Sequence, residues 1–451
     1  MFSLIVAITK NGGIGKNNTI PWKIIHDLKH FKSETTNGMI IMGRKTWESI
    51  QKNPLPNRIN VVISRSLKDK SCYVFNSIFK FLEWIPNDYK MEKYVIGGVS
   101  IYNQFLNMGL ISRCIITNID KTYDCDSFFN KKHLINIYSS PKIIKSKFEE
   151  NYINGIIEIY YLSNIEENNF LYLIRKIKNI GNYHIDRTNI GTKSIFGAEL
   201  TFSLRDNKFP LLTTRKLPLR HIFEELMWIL RGQTNNRILK DKKINIWTPN
   251  STREFLDQQG LTDLKEGDIG ASYGHQMRHF GALYNGCDYD YSNKGFDQLK
   301  YVINLLKTRP FDRRIIISLW DPNSLHRMSL PACMYNYQFY VSDGYLSCKA
   351  TQRSSDIMLA GGWNIAFASL FTILLADVCN LKPDKLIWSV GDVHIYNNQL
   401  EIVDELLSRK PKQFPILFVK NHHSNITDFE FDDIKLIGYF PYPNIKINFN
   451  A

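Results

Sequence analysis

Short runs of apolar and β-branched residues alternate with helical patterns along the first third of the chain. The runs predict strands over residues 3–8, 39–42, 58–64, 93–96 and 113–119. The periodic segments between them predict helices near residues 27–34, 46–50 and 99–106. Strands that alternate with helices are typical of an α/β domain with a largely parallel sheet, whose ligands gather at the carboxyl ends of the strands.

A β-hairpin is predicted much farther along the chain, where two β-rich runs cover residues 334–341 and 345–351. Asp343-Gly344 separates the runs, and this dipeptide favours a two-residue hairpin turn. The pattern therefore predicts two antiparallel strands joined at that turn.

The same hairpin carries a candidate nucleophile, Cys333. Counting outward from the turn places Cys333 opposite Ser354, and strict alternation then points the neighbouring Arg353 to the other face. A bulge or a strand end must redirect Arg353 if the two side chains are to meet. A thiol beside a guanidinium is stabilised as the thiolate that attacks carbon, whereas the alternative is a buried structural cysteine above a surface arginine.

Composition places the protein among soluble, intracellular chains of two or three domains. The 451 residues are 44% hydrophobic and carry a formal charge of +14, which suggests anionic partners such as phosphorylated or carboxylated substrates. The seven cysteines are odd in number and contain no C-x-x-C, so we expect a reducing, cytoplasmic compartment without a disulfide framework or metal site.

We expect no membrane segment. The longest apolar stretch, residues 363–379, contains Asn364, Ser369, Thr372 and Asp377, and it is interpreted as a buried core helix. The first eight residues lack the basic region and the apolar length of a signal peptide.

Three features of the first domain could carry chemistry. Asp27 begins a helix among apolar residues. It is either an ordinary acid at a helix N-terminus or a carboxyl whose pKa is raised by an apolar pocket. The turn residues 43–46 combine backbone N–H groups with two cations at a strand-to-helix junction, which suits a phosphate or forms a solvated basic turn. Gly97-Gly98, at a similar junction, would let a diphosphate approach the backbone, although a lone pair of glycines usually marks a turn.

Residues 1–163 resemble dihydrofolate reductase. The matching strings are I-P-W, D-L-x-x-F-K, M-G-R-K-T-W-E-S-I, L-P-N-R, V-I-S-R-S, V-I-G-G-V-S-I-Y and I-T-N-I-D. The resemblance implies that Asp27 is the catalytic acid that meets the pterin and that the other folate-binding residues are Phe31, Ile50, Arg58, Ile96 and Thr117. It implies NADPH as cofactor, bound by Ala7, Ile14, Gly43, Arg44, Lys45, Thr46, Ser64, Arg65, Gly97, Gly98 and Tyr102, with the loop 11–20 closing over the nicotinamide.

Residues 168–451 resemble thymidylate synthase. The matching strings include F-G-A-E-L, E-E-L-M-W-I-L-R-G, D-R-R-I-I-I-S-L-W, L-P-A-C, Q-F-Y-V, Q-R-S-x-D, G-D-V-H-I-Y and G-Y-x-P-Y-P. The resemblance implies that Cys333 adds to C6 of dUMP, that Glu225 and Tyr273 assist, and that 5,10-methylenetetrahydrofolate supplies the carbon and the hydride.

The same resemblance implies the ligand contacts. Residues assigned to dUMP are Arg187, Arg313, Arg314, Gln352, Arg353, Ser354, Asn364, His394 and Tyr396. Residues assigned to the folate are Trp247 and Asp356. Because the family's Arg313 and Arg314 counterparts reach a phosphate in the partner subunit, the resemblance also implies a homodimer through the synthase domain.

Three segments depart from the usual synthase pattern. Pro-Cys-His becomes A-C-M at residues 332–334, G-P-V-Y-G-x-Q-W becomes G-A-S-Y-G-H-Q-M at 270–277, and L-G-x-P-F-N becomes L-A-G-G-W-N at 359–364. All three lie near the nucleophile or the folate in the family. They spare the principal polar groups and alter the walls of the site.

Together the two resemblances imply a bifunctional enzyme. We expect an α/β reductase domain with a mostly parallel mixed sheet over residues 1–163, a short linker over 164–169, and an α+β synthase-type domain over 170–451. The alternative is an active reductase fused to an impaired synthase domain that serves as a dimerisation scaffold. RNA binding by the basic surface is a third hypothesis, which the lack of an RRM, KH or zinc-knuckle pattern disfavours.

Overall fold

The computed structural model describes residues 2–85, 91–108, 110–131, 143–161, 164–185 and 189–447. The chain divides into two compact units. The first comprises Met1–Asn164 with Ile437–Phe440, and the second comprises Ile165–Leu436 with Pro441–Ala451.

The first unit is an α/β domain. Its described strands are β1 (Phe2–Thr9), β2 (Gly13–Gly15), β3 (Met39–Gly43), β4 (Ile59–Ile63), β5 (Tyr73–Phe75), β6 (Lys93–Gly97), β7 (Ile111–Ile119), β8 (Ser127–Phe128), β9 (Ile143–Glu150) and β10 (Ile153–Tyr161). Its described helices are α1 (Ile25–Thr35), α2 (Arg44–Ser49), α3 (Ile78–Trp84) and α4 (Val99–Asn107).

Eight of these strands form one mixed, mostly parallel sheet in the order β5-β4-β3-β6-β1-β7-β10-β9. Only the pairings of β10 with β7 and β9 are antiparallel among the described strands of this sheet. The four residues Met39–Met42 of β3 are completely buried, as expected for a parallel strand covered on both faces. The predicted α/β fold is confirmed, and the five predicted strands and three predicted helices lie within two residues of the observed ends.

The second unit mixes helices with a second sheet. Its described helices are α5 (Ile165–Ile180), α6 (Leu219–Leu230), α7 (Arg237–Asp241), α8 (Arg253–Gln258), α9 (Tyr273–Arg278), α10 (Gln298–Thr308), α11 (Gly362–Val378) and α12 (Leu400–Ser408). Its described strands are β11 (Asn182–His184), β12 (Thr192–Ser203), β13 (Ile316–Ser318), β14 (Met334–Ser342), β15 (Tyr345–Asp356), β16 (Lys382–Tyr396), β17 (Ile416–Val419) and β18 (Ile434–Ile437).

Six strands of this unit form a sheet in the order β11-β12-β16-β15-β14-β13. β15 and β16 are parallel, and the other pairs are antiparallel. β17 and β18 pair separately. The fold is therefore the predicted α+β arrangement, with a long central hairpin at its middle.

The apolar stretch near residue 370 belongs to the core of the second unit. α11 packs on β15 and β16, and most of its residues are buried. Together with the turn before it, the segment Ile357–Val378 is long and apolar enough to cross a membrane, but 78% of its most apolar part is buried within the protein. The prediction of a core helix at this position is confirmed.

The boundary between the units lies at Asn164 and Ile165. Residues 165–169 of the predicted linker belong to the beginning of α5. Glu167 fixes this helix, because its buried carboxylate accepts hydrogen bonds from the backbone N–H and hydroxyl groups of Thr213 and Thr214.

Candidate active sites

The hairpin β14–β15 brings Cys333 to Arg353 through a bulge. Near the turn the register is the predicted one, with Ser342 opposite Tyr345, but it shifts by one residue between Met334 and Asn336. The Arg353 N–H consequently donates to the Cys333 carbonyl over 2.9 Å. The predicted pairing of Cys333 with Ser354 is wrong, because the extra residue in β14 moves its partner to Arg353.

Arg353 is held in place by the segment that leads into β14 and carries the thiol. Its Nε donates to the Ala332 carbonyl and its Nη2 to the Pro331 carbonyl, each over 3.0 Å. The same Nη2 lies 3.6 Å from Cys333 Sγ, and the guanidinium lies 5.9 Å from the ring centre of Trp320. The geometry therefore places a positive charge beside the sulfur of the candidate nucleophile.

Tyr273 supports the nucleophile from the first turn of α9. Its hydroxyl accepts the Cys333 backbone N–H over 2.8 Å. Burial raises the pKa of this phenol well above its ordinary range, so the hydroxyl stays neutral. The ring of Trp247 meets that of Tyr273 edge-on at 5.8 Å.

Glu225 lies on α6, and its side chain is buried. Oε1 accepts the Trp247 indole N–H over 2.9 Å, and Oε2 accepts the Trp363 indole N–H over 2.7 Å. Burial raises the pKa of Glu225 to about 7, although both hydrogen bonds act in the opposite direction. A carboxyl with this pKa can both accept and donate a proton near neutral pH.

Asp356 closes β15 and caps the turn that follows. Its Oδ1 accepts the N–H groups of Met358 and Leu359, each over 3.0 Å, and its Oδ2 accepts Gln399 Nε2 over 2.8 Å. Burial raises the pKa of Asp356. The structure thus shows that Asp356 holds the protein's own backbone, and its contact with the folate stays a prediction.

The other residues assigned to dUMP are distributed over the parallel pair β15–β16 and α11. Asp356 pairs with His394 and Ser354 with Asp392 across these strands. His394 Nδ1 lies 2.8 Å from Asp392 Oδ1, and its ring meets that of Tyr396 edge-on at 5.3 Å. Asn364 lies on the first turn of α11. Gln352 lies in the core, where its side-chain oxygen accepts the Trp388 indole N–H, and its Nε2 has no partner among the described residues.

Of the three remaining arginines assigned to dUMP, Arg313 and Arg314 make no contact with Cys333 in the described part of one chain. Arg313 and Arg314 are exposed on the segment before β13, where Arg314 binds Asp312 through Nε and Nη2 at 2.9 and 2.8 Å. This pairing lowers the pKa of Asp312 to about 2. Arg187 lies outside the residues that the structure describes.

The acid of the first unit, Asp27, is on the first turn of α1. Burial raises its pKa, and a hydrogen bond with the buried Thr117 of β7 lowers it in part. The half-buried side chains of Phe31, Ile50 and Ile96 pack against one core cluster, which supports the predicted apolar walls. The arrangement is a largely desolvated carboxyl beside an apolar pocket, which suits proton donation to a ring nitrogen.

Arg58 lies beside this pocket. Its Nη1 donates to Thr35 Oγ1 over 2.9 Å, its Nε donates to the Pro56 carbonyl over 3.1 Å, and its guanidinium lies 6.0 Å from the Phe31 ring centre. Arg58 is thus oriented by its surroundings and retains an N–H group for an anionic ligand.

The residues assigned to NADPH share one edge of the sheet, because β1, β3, β4 and β6 are parallel and end there. They are Ala7 at the end of β1, Gly43, Arg44, Lys45 and Thr46 after β3, Ser64 and Arg65 after β4, Gly97 and Gly98 after β6, and Tyr102 on α4. Arg44, Lys45 and Arg65 are exposed, whereas the Tyr102 hydroxyl is buried and donates to the Ile5 carbonyl over 2.8 Å.

The two glycines keep side-chain atoms away from the backbone at this junction. Gly97 has a φ of +127°, which side chains rarely adopt, and a Cβ at either glycine would lie 3.5 Å from Thr46 Oγ1. Since glycine leaves this space open beside a hydroxyl and exposed cations, the residues present fit a dinucleotide that carries an additional phosphate.

Ile14 belongs to β2, in the loop that the sequence predicts to close over the cofactor. The loop is tied to the segment around β8, because the Asn17 N–H donates to Asp126 Oδ2 over 2.8 Å and the Asp126 N–H donates to the Gly15 carbonyl over 3.0 Å. These bonds give the loop a defined position in this structure.

Sequence reasoning missed three residues that orient site groups. Trp363 binds Glu225, Asp392 binds His394, and Glu150 accepts the Ile25 and His26 N–H groups at the start of α1, each over 2.9 Å. Trp363 lies in a segment that departs from the family pattern and Asp392 lies in the matching string G-D-V-H-I-Y, so the sequence carried a signal for both but none for Glu150. In the described residues no cluster of three or more metal-ligating side chains is found.

Comparisons with known proteins agree with this division into two sites. The family model of thymidylate synthase matches residues 168–451, and that of dihydrofolate reductase matches residues 1–155. A bifunctional dihydrofolate reductase-thymidylate synthase of Paramecium tetraurelia is 42% identical over 459 residues, which cover 99% of this chain and 98% of that protein. A protein of the same description from Daucus carota is 40% identical, and the match covers 99% of this chain and 95% of that protein. Another from Leishmania major is 37% identical, and the match covers 99% of this chain and 94% of that protein.

Proposed function

Because the chain belongs to the bifunctional dihydrofolate reductase–thymidylate synthase family, we propose that the groups around Cys333 and Asp27 carry its two reactions. The protein is an enzyme with both activities, which serve folate and nucleotide metabolism. The observation that carries the assignment of the synthase site is the 3.6 Å approach of the Arg353 guanidinium to the Cys333 thiol.

In the synthase reaction, the Cys333 sulfur forms a bond to C6 of dUMP, and the electron pair of the C5–C6 bond moves so that C5 becomes nucleophilic. C5 then takes the methylene of 5,10-methylenetetrahydrofolate and loses its proton. The C–N bonds between the methylene and the folate break, and the folate supplies the hydride that completes the methyl group. The Cys333 thiolate then leaves C6 as the C5–C6 double bond forms again. The products are dTMP and dihydrofolate, the second of which is the substrate of the first unit.

The surrounding residues bind and orient dUMP. Arg353 and Ser354 meet the phosphate, and the side-chain amide of Asn364 matches the uracil edge with one donor and one acceptor. His394 and Tyr396 meet the ribose hydroxyls, with His394 oriented by Asp392. This set selects a uracil nucleotide over a cytosine nucleotide, because a 4-amino group would face the amide donor.

Glu225 moves protons at the pyrimidine. Its pKa of about 7 makes the ionised and protonated forms comparable in population at neutral pH, and its burial keeps bulk water from competing. Tyr273 holds the Cys333 backbone. Asp356 and Trp247 hold the folate over the nucleotide.

In the reductase reaction, Asp27 hydrogen-bonds the pterin of dihydrofolate and assists its protonation. Phe31, Ile50 and Ile96 exclude water from that ring, and Arg58 holds the glutamate carboxylate of the folate. NADPH, when bound at the strand edge around Thr46 and the two glycines, supplies the hydride. Arg44, Lys45 and Arg65 favour NADPH over NADH, because their charges suit the additional phosphate.

The active form is a homodimer through the sheet of the second unit. On β13 and β14, Ile316 and Tyr340 lie on the face opposite to the buried Phe339 and Val341, and they are 38% and 67% exposed. Exposed apolar side chains on a sheet face are typical of an interface. Arg313 and Arg314 are free of contacts to the Cys333 group in their own chain's described residues, which supports their use in the partner's site.

We place the enzyme in the cytoplasm, with no membrane or nucleic acid among its partners. All seven cysteines are free, which is typical of a reducing compartment. dUMP, the folates and NADPH account for the anionic partners that the net charge of +14 suggests.

Covalent labelling tests the synthase assignment. Incubation with 5-fluoro-dUMP and 5,10-methylenetetrahydrofolate should label Cys333 stoichiometrically, because the fluorine at C5 cannot leave as a proton does. The intact protein should gain the mass of both ligands, and the label should map to the peptide with Cys333. Reductase activity without labelling or dTMP formation would instead favour the alternative of a silent synthase domain.

A further inference from the structure

The carboxylate of Glu225 lies between two indole rings. Trp247 donates to Oε1 over 2.9 Å, and Trp363 donates to Oε2 over 2.7 Å. A buried carboxylate needs hydrogen-bond donors to replace the water it has lost. Trp363 therefore supplies one of the two donors that the structure gives this group.

The second indole, that of Trp363, lies in a segment that departs from the usual synthase pattern. The usual residue at position 363 is phenylalanine, which has no N–H to donate. Gly361 and Gly362 stand directly before the tryptophan, and a Cβ at Gly362 would lie 2.3 Å from Leu212 Cδ1, while one at Gly361 would lie 3.2 Å from the Phe170 ring. Glycine at these two positions therefore lets the first turn of α11 pack closely, in the position that directs the indole to Glu225.

The backbone before Trp363 is held from both sides. The guanidinium of Arg215 donates to the carbonyls of Met358 and Leu359 over 2.5 and 2.7 Å. The carboxylate of Asp356 accepts the N–H groups of the same two residues. The carbonyl and N–H groups of Met358 and Leu359 are therefore all bonded, which holds the turn that leads into α11 and Trp363.

We propose that Trp363 is a positioning residue for the synthase reaction: with Trp247 it fixes both oxygens of the Glu225 carboxylate and stabilises its ionised form. This inference rests on the role proposed for Glu225. An indole donor favours the carboxylate over the carboxylic acid, because the protonated oxygen would lose one acceptor position. The two indole hydrogen bonds offset part of the increase in pKa that burial causes. Glu225 is therefore available as a proton acceptor near neutral pH.

Two phenols interact with Glu225 from other elements, and they and a histidine on one of those elements are neutral near pH 7. Tyr273 of α9 and Tyr337 of β14 are phenols whose pKa burial raises, and burial lowers the pKa of His275 on α9 to about 4. Among the charged groups on α6 and on elements around it, ion pairs join Glu224 with Lys242, Arg278 with Asp297, Glu430 with Arg231, and Asp433 with His423. Of the other two on α6, Arg220 is exposed to solvent, and burial lowers the pKa of His221. The two indoles are therefore the main polar influence on this carboxylate.

The kinetic test compares Trp363→Phe with two other tryptophan variants. Removal of the Trp363 donor should shift the acidic limb of kcat/KM for dTMP formation to higher pH by about one unit, since a hydrogen bond to a charged group is lost. Trp247→Phe should shift the limb in the same direction. Trp84→Phe, in the first unit, is the matched control and should leave the synthase profile unchanged.

A direct readout uses the full chain labelled with 5-fluorotryptophan. Of the eight tryptophan signals in the ¹⁹F NMR spectrum, two should shift with pH through a common midpoint near 7, the pKa of Glu225. One of the two should be missing in Trp363→Phe and the other in Trp247→Phe. In Glu225→Gln neither should titrate with that midpoint.

The possible results separate this inference from the proposed function. A single titrating signal in the parental protein, or a Trp363→Phe profile that coincides with the parental one, would overturn the role of Trp363. If Trp363→Phe does not fold, the number of titrating signals in the parental protein shows whether one or both indoles bind Glu225. If the parental protein forms no dTMP, the proposed synthase function fails, and the NMR titration still shows whether both indoles bind Glu225.

Discussion

The Arg353 guanidinium reaches the Cys333 thiol because β14 contains one residue more than its partner strand between Met334 and Asn336. Without that bulge, strict alternation would place the two side chains on opposite faces of the hairpin. A local irregularity of one residue thus decides whether the nucleophile has a cation beside it.

Arg353→Lys should slow the reaction of Cys333 with iodoacetamide at pH 7.5 by roughly three- to tenfold, because a single ammonium cannot bond Pro331 and Ala332 and still approach the sulfur. The rate of carboxamidomethylation at Cys333 is measured by peptide mass spectrometry. Arg327→Lys, whose guanidinium binds Asp263 instead, is the control and should leave the rate unchanged. Equal rates in all three proteins would contradict a role of Arg353 at the thiol.

The hairpin also shows how far the sequence predicts the fold. Asp343-Gly344 predicted the turn and the pairing of Ser342 with Tyr345, because turn chemistry is local. The bulge could be inferred only as a requirement, since nothing in the A-C-M-Y-N segment specifies which residue is extra. Register in the middle of a sheet depends on packing against both faces, which a single sequence does not record.

Glu225 should make the stability of the second unit depend on pH. Its folded-state pKa of about 7 lies above the ordinary value of 4.5, so its contribution to folding is fully present below about pH 4.5 and is lost as pH rises through about 7. The difference of about 2.5 pKa units corresponds to about 3 kcal/mol. In Glu225→Gln the free energy of unfolding should therefore decline less between pH 5 and pH 8.

Calorimetric unfolding of the full chain at pH 5 and pH 8 checks this expectation. Glu224→Gln removes a buried carboxylate from the same helix, but one that is paired with Lys242. This control should keep the pH dependence of the parental protein. An unaltered dependence in Glu225→Gln would show that the carboxyl titrates in the folded protein as it does in the unfolded chain.

Asp27→Asn should lower the turnover of dihydrofolate reduction by roughly 10²–10⁴-fold, the usual contribution of a positioned acid or base, while dTMP formation stays unchanged. The amide keeps the shape of the side chain, and it cannot supply the proton. NADPH oxidation with dihydrofolate and dTMP formation are followed in the same preparation. Asp120→Asn, at an exposed aspartate paired with Lys10, should affect neither reaction.

The candidate sites were predictable to different extents. Single residues such as Cys333, Glu225 and Asp27 lie in recognisable strings, and the structure gives each of them a buried or charged environment. The partners that orient these residues were not predictable, because contacts such as Trp363 to Glu225 join positions 138 residues apart. Such a pair depends on how α11 and α6 pack, so it becomes visible only in three dimensions.

A site shared between two subunits can be tested by complementation. Cys333→Ser lacks the nucleophile, and Arg314→Ala lacks an arginine that we propose to act in the partner's site, so each homodimer should form little or no dTMP. In a mixed dimer, one site combines the intact Cys333 of one chain with the intact Arg314 of the other. Co-expression at equal levels should therefore restore about a quarter of the parental synthase activity, since half of the dimers are mixed and each has one complete site.

The control for this experiment pairs Cys333→Ser with Glu225→Gln. If both residues act in the site of their own chain, each mixed dimer contains two damaged sites, and mixing should restore no activity. The size of each assembly is followed by analytical ultracentrifugation, so that a failure to exchange subunits is recognised. Absence of rescue in a mixture that contains Cys333→Ser/Arg314→Ala dimers would show that Arg314 serves its own chain, and the shared site would have to be abandoned.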